Sequence, residues 1–193
     1  MVPTKQSQSD SLQFNVAGLL SGPKGGTRHY ELRIPISEMD QLDEAFDIIA
    51  PLVGDARFLW TNERIVVVAS GETTIRTQCS RCLEPMEQPL SIAIEEAFVP
   101  AVDLATGRIR QEEAIDPALL IDAQHILDLS EIMRQALLLA LPLTPLCQED
   151  CAGLCPTCGV NLNFEQCTCE SAVIDPRWAA LGDLFRDQPD DES

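Results

Sequence analysis

The sequence predicts an α+β protein: a mainly antiparallel, barrel-like β domain, one buried helix and a C-terminal cysteine-rich module. Three observations support this. Apolar and polar residues alternate over much of the first hundred positions, one strongly apolar helical segment follows, and eight cysteines occur among 193 residues. Strict alternation indicates strands with one buried face, whereas apolar residues three and four apart indicate a helix.

The β domain is predicted to span residues 1–100. A Gly- and Pro-rich stretch at 21–26 forms a loop, and Pro35 places the second strand at an edge or near its end. Cys79 and Cys82 fall between the last two strands, so we expect them at a strand-connecting tip. Strands are predicted over 12–16, 30–36, 57–60, 65–69, 73–77 and 90–98.

One short helix is predicted to interrupt these strands. Met39, Leu42, Phe46 and Ile49 follow one another at helical spacing, and Ser37 precedes them in a position suited to capping. The pattern is that of an amphipathic helix with one face on the β domain.

An acidic connector over 101–127, irregular over 101–124, is predicted to lead into a buried helix within 128–146. Asp128 suits the N-cap, Glu131 suits the third helical position, and Pro142 ends the helix. Because the segment is apolar nearly all round, we expect it to lie buried between layers.

The cysteine-rich module is predicted over 147–186, with an acidic tail at 187–193. Its last part is a short helix that begins at Asp175 and Pro176, a capping residue followed by a proline at the first helical position.

The charge is unusual and uneven. The chain has 13 Lys and Arg against 31 Asp and Glu, a net charge of −18, and residues 111–193 hold 3 of the basic and 16 of the acidic residues. Such a surface repels phosphate groups, because nucleic-acid affinity comes from basic side chains that displace counterions. It attracts basic protein partners instead.

The chain has no apolar run near the ~20 residues of a membrane span. Its first residues contain no apolar stretch of the secretory type. We therefore expect a soluble, cytoplasmic protein with no membrane partner.

The eight cysteines suit two tetrahedral metal ions better than four disulfides. Cytosolic thiols are kept reduced, and four thiolates complete the shell of a structural Zn²⁺. Four-thiolate sites accept iron as well, and the sequence leaves that choice open. The cofactor predicted is Zn²⁺, two ions in all, which makes the cysteine-rich segment a zinc-knuckle module. The candidate ligands are Cys79, Cys82, Cys147, Cys151, Cys155, Cys158, Cys167 and Cys169.

Loop closure favours one division of these ligands. Cys155 and Cys158 form a knuckle that Gly159 completes, and Cys167 and Cys169 are close enough in sequence to close the same ion. This second site leaves Cys79, Cys82, Cys147 and Cys151 for the first. An interleaved arrangement, in which 79/82 share an ion with 155/158, stays open.

Other chemistries fit the sequence less well. A thioredoxin-type Cys-x-x-Cys lies between a strand and a helix, whereas Cys79 and Cys82 join two strands. His29 and His125 show no ligand spacing, and no catalytic grouping stands out, so we expect no enzyme.

A plain nucleic-acid-binding zinc ribbon would carry more basic or aromatic residues near its knuckles. A thiol–zinc redox sensor or holdase chaperone stays the main alternative, because thiolate clusters can release zinc on oxidation.

Three segments make the chain resemble the YceD family, the large ribosomal RNA subunit accumulation proteins. They are CSRCLE at 79–84, the helical stretch and its exit at 128–147, and CAGLCPTCGVNLN at 151–163. The resemblance covers roughly residues 10–185. Shorter members of the family keep the pair matching Cys79 and Cys82 and ligand-type residues matching Cys147 and Cys151, which supports the first division.

The resemblance implies a role in the synthesis, processing or stability of 23S ribosomal RNA, hence in assembly of the large ribosomal subunit. It implies no enzymatic activity. Because the charge opposes direct RNA binding, we expect an indirect role in which the acidic half at 111–193 holds a basic ribosomal protein or assembly factor.

Overall fold

A computed structural model of the chain describes residues 6–39, 47–61, 63–102 and 116–169. The chain divides into two compact units. The sheet unit comprises Met1–Gln78 and Pro85–Pro145, and the thiol unit comprises Cys79–Glu84 and Leu146–Ser193. The five segments inferred from the sequence stay a prediction.

All regular strands and helices of the described residues belong to the sheet unit. Its α-helices are α1 (Ala17–Leu20), α2 (Ile36–Met39) and α3 (Ser130–Ala140), and a 3₁₀ turn covers Pro117–Leu119. Its strands are β1 (Gln6–Ser9), β2 (Gln13–Asn15), β3 (Thr27–Ile34), β4 (Asp47–Ile48), β5 (Leu52–Trp60), β6 (Ile65–Gln78), β7 (Pro85–Pro100), β8 (Leu120–Ile121) and β9 (Ile126–Asp128).

The main sheet is mostly antiparallel and open. Its strand order is β1-β3-β5-β6-β7-β8, with β4 also paired to β6, and β2 pairs with β9 in a separate two-stranded sheet. Strands β3, β5, β6 and β7 are antiparallel neighbours, whereas β1 and β8 each pair in parallel at the ends of the order. The two end strands do not pair with each other, so among the described residues the expected barrel-like closure is wrong.

The long hairpin β6–β7 dominates the sheet. Two separate strands were expected around Gly71, but β6 runs through it without a break because Gly71 faces Gly54 across the pair. A side chain at Gly54 would overlap the carbonyl oxygen of Ser70, so the two backbones approach more closely than other residues allow. Burial alternates along β6, as the sequence pattern predicts.

The core lies on one face of this sheet. Phe14, Tyr30 and Phe58 pack together with ring centroids 4.9–5.0 Å apart, a spacing typical of favourable edge-to-face contacts. Thr73 is buried, and its hydroxyl donates to the carbonyl of Ala50 at 2.8 Å, which satisfies both groups. The largest fully buried side chains are Phe58, Phe98, Leu12, Leu32, Ile34, Met39, Leu52, Ile65, Ile121, Leu127, Leu129 and Met133.

The start of α3 differs from the expected capping box. Leu129 takes the N-cap position, and the helix begins at Ser130. The carboxylate of Asp128 accepts the N–H of Ser130 at 2.8 Å, so it closes a turn just ahead of the helix. Glu131 does not reach back to the cap, because its carboxylate accepts hydrogen bonds from Arg134 and Gln135 on the next turn.

The expectation that the helix lies buried between layers is also wrong. Ile132, Met133 and Leu137 are buried on one face of α3, whereas Leu138 is exposed and Leu139 is 88% exposed. An apolar composition shows that a helix can be buried on any side. How much of it is buried depends on how many layers pack against it.

Three local expectations need correction. Helix α2 begins at Ile36, so Ser37 lies inside it, and Ile49 follows strand β4 rather than a helical turn. Helix α1 lies between the expected strand at 12–16 and the expected loop at 21–26, where no helix was expected. The described end of the connector is not irregular, because it contains the 3₁₀ turn and β8.

Several predicted features lie outside the described residues. They are Leu42 and Phe46 of the short helix, the terminal helix at Asp175 and the tail at 187–193. In the part of the chain that the structure describes, no helix is both long and apolar enough to cross a bilayer.

Candidate metal centre

The first thiol cluster consists of Cys79, Cys82, Cys147 and Cys151. Cys79 and Cys82 lie in the loop between β6 and β7, as the sequence predicts. Two backbone hydrogen bonds close this loop, from the N–H of Cys79 to the carbonyl of Glu84 and from the N–H of Leu83 to the carbonyl of Cys79, both at 2.9 Å. Cys147 and Cys151 come from the segment that begins the C-terminal part of the thiol unit.

Two sulfur–sulfur distances in this cluster match the edge length of a metal-sized tetrahedron, and all four sulfurs lie within 4.8 Å of one another. The Sγ atoms of Cys79 and Cys151 are 3.7 Å apart, and those of Cys82 and Cys147 are 3.6 Å apart. A tetrahedral ion with metal–sulfur bonds of about 2.3 Å places its ligands about 3.8 Å apart. A disulfide would bring two sulfurs to about 2.05 Å, and all eight cysteines are free. The donor set and spacing therefore fit a four-thiolate metal site.

Two donors point at sulfurs of the first cluster. The backbone N–H of Arg81 donates to Sγ of Cys79 at 3.5 Å, and the side-chain amide of Asn163 donates to Sγ of Cys151 at 3.4 Å. The backbone N–H of Cys82 is the main cause that lowers the pKa of Cys79 to about 6. Such donors favour the charged thiolate over the thiol, which is the form that binds a metal.

The second thiol cluster consists of Cys155, Cys158, Cys167 and Cys169, whose ligand atoms lie within 4.8 Å of one another. The N–H of Gly159 donates to the carbonyl of Cys155 at 2.9 Å and closes the knuckle. The backbone N–H groups of Cys158 and Thr157 lower the pKa of Cys155 to about 6. Hydrogen bonding to Cys158 raises the pKa of Cys169 to about 12, so one thiol holds its proton until an ion displaces it.

The clusters differ in exposure. In the first, only Cys147 is exposed, and the other three cysteines are buried. In the second, Cys155 is buried, Cys158 is exposed, and the remaining two are half-buried. Solvent and oxidants therefore have better access to the second cluster.

The two knuckles share a backbone conformation but not the residue that adopts it. Gly159 follows Cys158 with a φ of 74°, and Leu83 follows Cys82 with a φ of 60°. Glycine adopts this left-handed region freely, whereas a leucine there is strained.

Asn163 connects the loop after the second knuckle to the first cluster. Besides its contact with Cys151, its Oδ1 accepts the N–H of Ala152 at 2.8 Å, and its amide donates to Oδ1 of Asn161 at 2.8 Å. Asn161 in turn donates to the carboxylate of Glu84 at 3.4 Å. Sequence reasoning missed the role of Asn163; its one signal is the Asn-x-Asn spacing after the knuckle.

Arg81 is a second residue that sequence reasoning left without a role. Its guanidinium donates to the carbonyl of Cys151 at 2.9 Å, and its own carbonyl accepts the N–H of Leu154 at 3.1 Å. Gly153 has a φ of 74°, and a Cβ there would lie 3.1 Å from the Arg81 carbonyl. The loop from the hairpin and the C-terminal segment are thus held together at the backbone.

The thiol unit has no apolar core in its described part. Its buried residues are Cys79, Cys82, Cys151, Gly153 and Cys155. The buried side chains of the thiol unit are thus those of cysteines, whereas the core of the sheet unit consists of side chains such as leucine and phenylalanine. A bound ion in each cluster would supply the cross-links that packing does not.

The two clusters are the two sets of four that the sequence favoured, and the interleaved grouping of 79/82 with 155/158 does not occur. That these residues bind metal stays a prediction. His29 and His125 belong to neither of the possible metal-binding groups found among the described residues.

Comparison with known proteins shows which family these features belong to. An uncharacterised protein of Mycobacterium tuberculosis is 32% identical over 146 residues, covering 76% of this chain and 68% of that protein. The maize large ribosomal RNA subunit accumulation protein YCED homolog 1, chloroplastic, is 32% identical over 123 residues, covering 51% and 41% of the two chains. The Arabidopsis thaliana protein of that name is 34% identical over 58 residues, 30% of this chain and 18% of that protein. No solved structure matches.

The family model for the large ribosomal RNA subunit accumulation protein YceD matches residues 67–185. That range contains all eight cysteines and the whole of β7 and α3. The resemblance drawn from the sequence is confirmed, and the chain belongs to the YceD family.

Proposed function

We propose that this chain is a non-enzymatic zinc-binding factor in large-subunit ribosomal RNA accumulation and ribosome assembly. One observation carries the proposal: the family match over 67–185 spans both thiol clusters, each a set of four sulfurs at metal-binding distance. The names of the plant relatives state a role in accumulation of this RNA. The metal sites would hold the thiol unit in shape, and that shape would present a surface to a partner.

Zinc fits both clusters. Cys79, Cys82, Cys147 and Cys151 would hold one ion, and Cys155, Cys158, Cys167 and Cys169 the other. Four sulfurs complete a tetrahedral shell and leave no position for a substrate or reactive water, which is the pattern of structural rather than catalytic zinc. This chemistry supports a non-enzymatic role.

The charge supports an indirect action on RNA. The net charge of −18 opposes binding to phosphates, and each four-thiolate zinc site adds two negative charges. A basic ribosomal protein or a basic assembly factor would be attracted, because surface charge of opposite sign speeds encounter. In this proposal the protein holds such a partner until it is placed on the RNA.

A salt series separates direct from indirect action. Filter binding to naked large-subunit ribosomal RNA and capture of purified large-subunit proteins are measured side by side from low to high salt. We expect capture of a basic protein at physiological salt and no RNA retention. RNA retention at that salt without protein capture would reject the indirect mechanism.

The role of the clusters is tested by producing variants of the protein in cells from which the gene has been deleted. Cys82→Ser and Cys158→Ser should each lower the mature large-subunit RNA toward the level of the deletion. Thr157→Ser is the matched control, since Thr157 lies inside the second knuckle without offering a sulfur. If the cysteine variants support normal RNA levels, the clusters are not needed for the function.

The exposure of Cys158 favours one second candidate, a thiol–zinc redox sensor or holdase chaperone. Hydrogen peroxide would oxidise two thiolates of the second cluster to a disulfide, with two protons taken up, two waters formed and the zinc released. Zinc release at micromolar peroxide together with new binding of an unfolded client would favour this function. Retention of both ions under those conditions would favour the structural role.

A further inference from the structure

We propose that Leu83 and Phe164 form the apolar anchor with which the thiol unit binds a basic segment of its protein partner. This inference rests on the proposed function and adds to it the place of contact. It depends on the conformation of Leu83, on the exposure of Phe164 and on the charges of the thiol unit.

Leu83 has an unfavourable backbone conformation, and more than half of its side chain lies in solvent. It has a φ of 60°, in the position where the second knuckle has Gly159, and its side chain is 57% exposed. Glycine or asparagine would adopt this backbone more easily. A residue selected only for the knuckle would therefore not be leucine. Strain of this kind occurs where a side chain is held out for a ligand.

Phe164 is a second large apolar side chain of the thiol unit left in solvent, at 77% exposure. Its N–H donates to the carbonyl of Asn161 at 3.2 Å, and the amide of Asn161 donates to Glu84, the neighbour of Leu83. The backbone of Phe164 and the residue after Leu83 therefore both contact Asn161, which connects the two segments that carry the exposed side chains. Aromatic residues are enriched at the centres of protein interfaces, so an exposed phenylalanine points to a partner that covers it.

The charges of the thiol unit favour a basic occupant. In the described part of the thiol unit, Glu84, Glu149, Asp150 and Glu165 are exposed, and Arg81 is the one basic residue. The guanidinium of Arg81 is engaged with the carbonyl of Cys151. Apolar side chains on an acidic unit fit a protein segment that has lysines or arginines around an apolar residue, and the acidic charge repels nucleic acid.

The stability test uses Leu83 variants of the full, zinc-loaded chain. Leu83→Gly relieves the strain and removes the side chain, whereas Leu83→Ala removes the side chain and keeps the strain. We expect Leu83→Gly to unfold and release zinc at the same temperature as the wild type or at a higher one. Leu83→Ala should unfold and release zinc at a lower temperature than Leu83→Gly. If Leu83→Gly releases zinc at a lower temperature than Leu83→Ala, Leu83 serves the fold and the proposal is wrong.

The binding test uses a photo-crosslinking phenylalanine derivative in the producing cells, at positions 83 and 164. Position 143 is the matched control, because Leu143 is a fully exposed apolar residue of the sheet unit. We expect positions 83 and 164 to trap the same basic protein, identified by mass spectrometry, and position 143 not to trap it. Leu83→Gly should lower the yield from position 164 at least tenfold.

Each other outcome overturns the inference in a recognisable way. Cross-links to RNA alone mean that the occupant is a nucleic acid, and cross-links between two copies of the chain mean self-association. A basic partner trapped at 143 but not at 83 or 164 places the interface elsewhere and leaves the proposed function standing. If no position traps a ribosomal or assembly protein and deletion leaves large-subunit RNA unchanged, the proposed function fails too.

Discussion

Replacing Asn163 with alanine should weaken metal binding at the first thiol cluster by about 10- to 100-fold, the usual effect of losing a partner that orients a metal ligand. This corresponds to about 1.4–2.8 kcal/mol. The variant removes the 3.4 Å donor to Cys151, the 2.8 Å acceptor for Ala152 and the 2.8 Å contact with Asn161. A single hydrogen bond to a charged group contributes about 1.5–3 kcal/mol, so the first contact alone accounts for that range.

The assay is competition with a chromophoric chelator, monitored as two separate release steps. Asn163→Asp is the paired variant, because it keeps an acceptor for Ala152 but puts a negative charge where Cys151 receives a donor. It should weaken binding at least as much as alanine. Gln148→Ala is the control, since Gln148 donates to Asn163 at 3.3 Å and its side chain hydrogen-bonds to no sulfur among the described residues.

The second cluster is an internal standard within the same molecule. Among the described residues, the Asn163 side chain hydrogen-bonds to none of the four sulfurs of the second cluster. The metal affinity measured in the release step of that cluster should therefore stay within about threefold of wild type. If Asn163→Ala leaves both steps unchanged, the hydrogen bond to Cys151 contributes nothing to metal binding. If both steps shift equally, the variant has loosened the whole thiol unit instead.

Three further predictions test the rest of the structure. Zinc chelation should abolish the protease resistance of 146–169 while the sheet unit keeps its circular dichroism, because the described buried residues of the thiol unit are four cysteines and a glycine. Gly54→Val should destabilise the sheet unit by about 3 kcal/mol or more, measured by urea unfolding, since its side chain would overlap the Ser70 carbonyl; an effect under about 1 kcal/mol would contradict the close strand approach. Hydrogen bonds from Arg134 hold the pKa of Glu131 at about 2, so this carboxylate stabilises the fold above its ordinary pKa of 4.5. That stabilisation is lost as the pH falls toward 2, and the stability gap between wild type and Glu131→Gln should close over the same interval.

Much of the sheet could be predicted because alternation is a local property. The alternating apolar positions in β3, β5, β6 and β7 indicate which face of each strand is buried, and the structure buries that face. That the described strands do not close a barrel could not be predicted, because closure depends on whether two strands far apart in sequence pair. The exposure of Leu139 also depends on which layers pack on α3 rather than on its composition.

The division of the cysteines could be predicted because short loops close more easily than long ones. Two features of the same centre could not. The role of Asn163 depends on a side-chain amide that reaches Cys151 only when the chain has folded back. The strain at Leu83 appears only as a backbone angle.

The apolar alternation, the eight sulfurs, their spacing and the acidic charge are all properties of the linear chain, and they point to a β-rich protein with two metal-sized thiol clusters. Folding adds three features that no local pattern contains: the described strands leave the sheet open, one face of α3 remains in solvent, and the amide of Asn163 donates to the sulfur of Cys151. The difference is one of range. Side-chain period, loop closure and net charge act along the chain, whereas packing, hydrogen bonding and backbone strain depend on residues that meet only in the folded molecule.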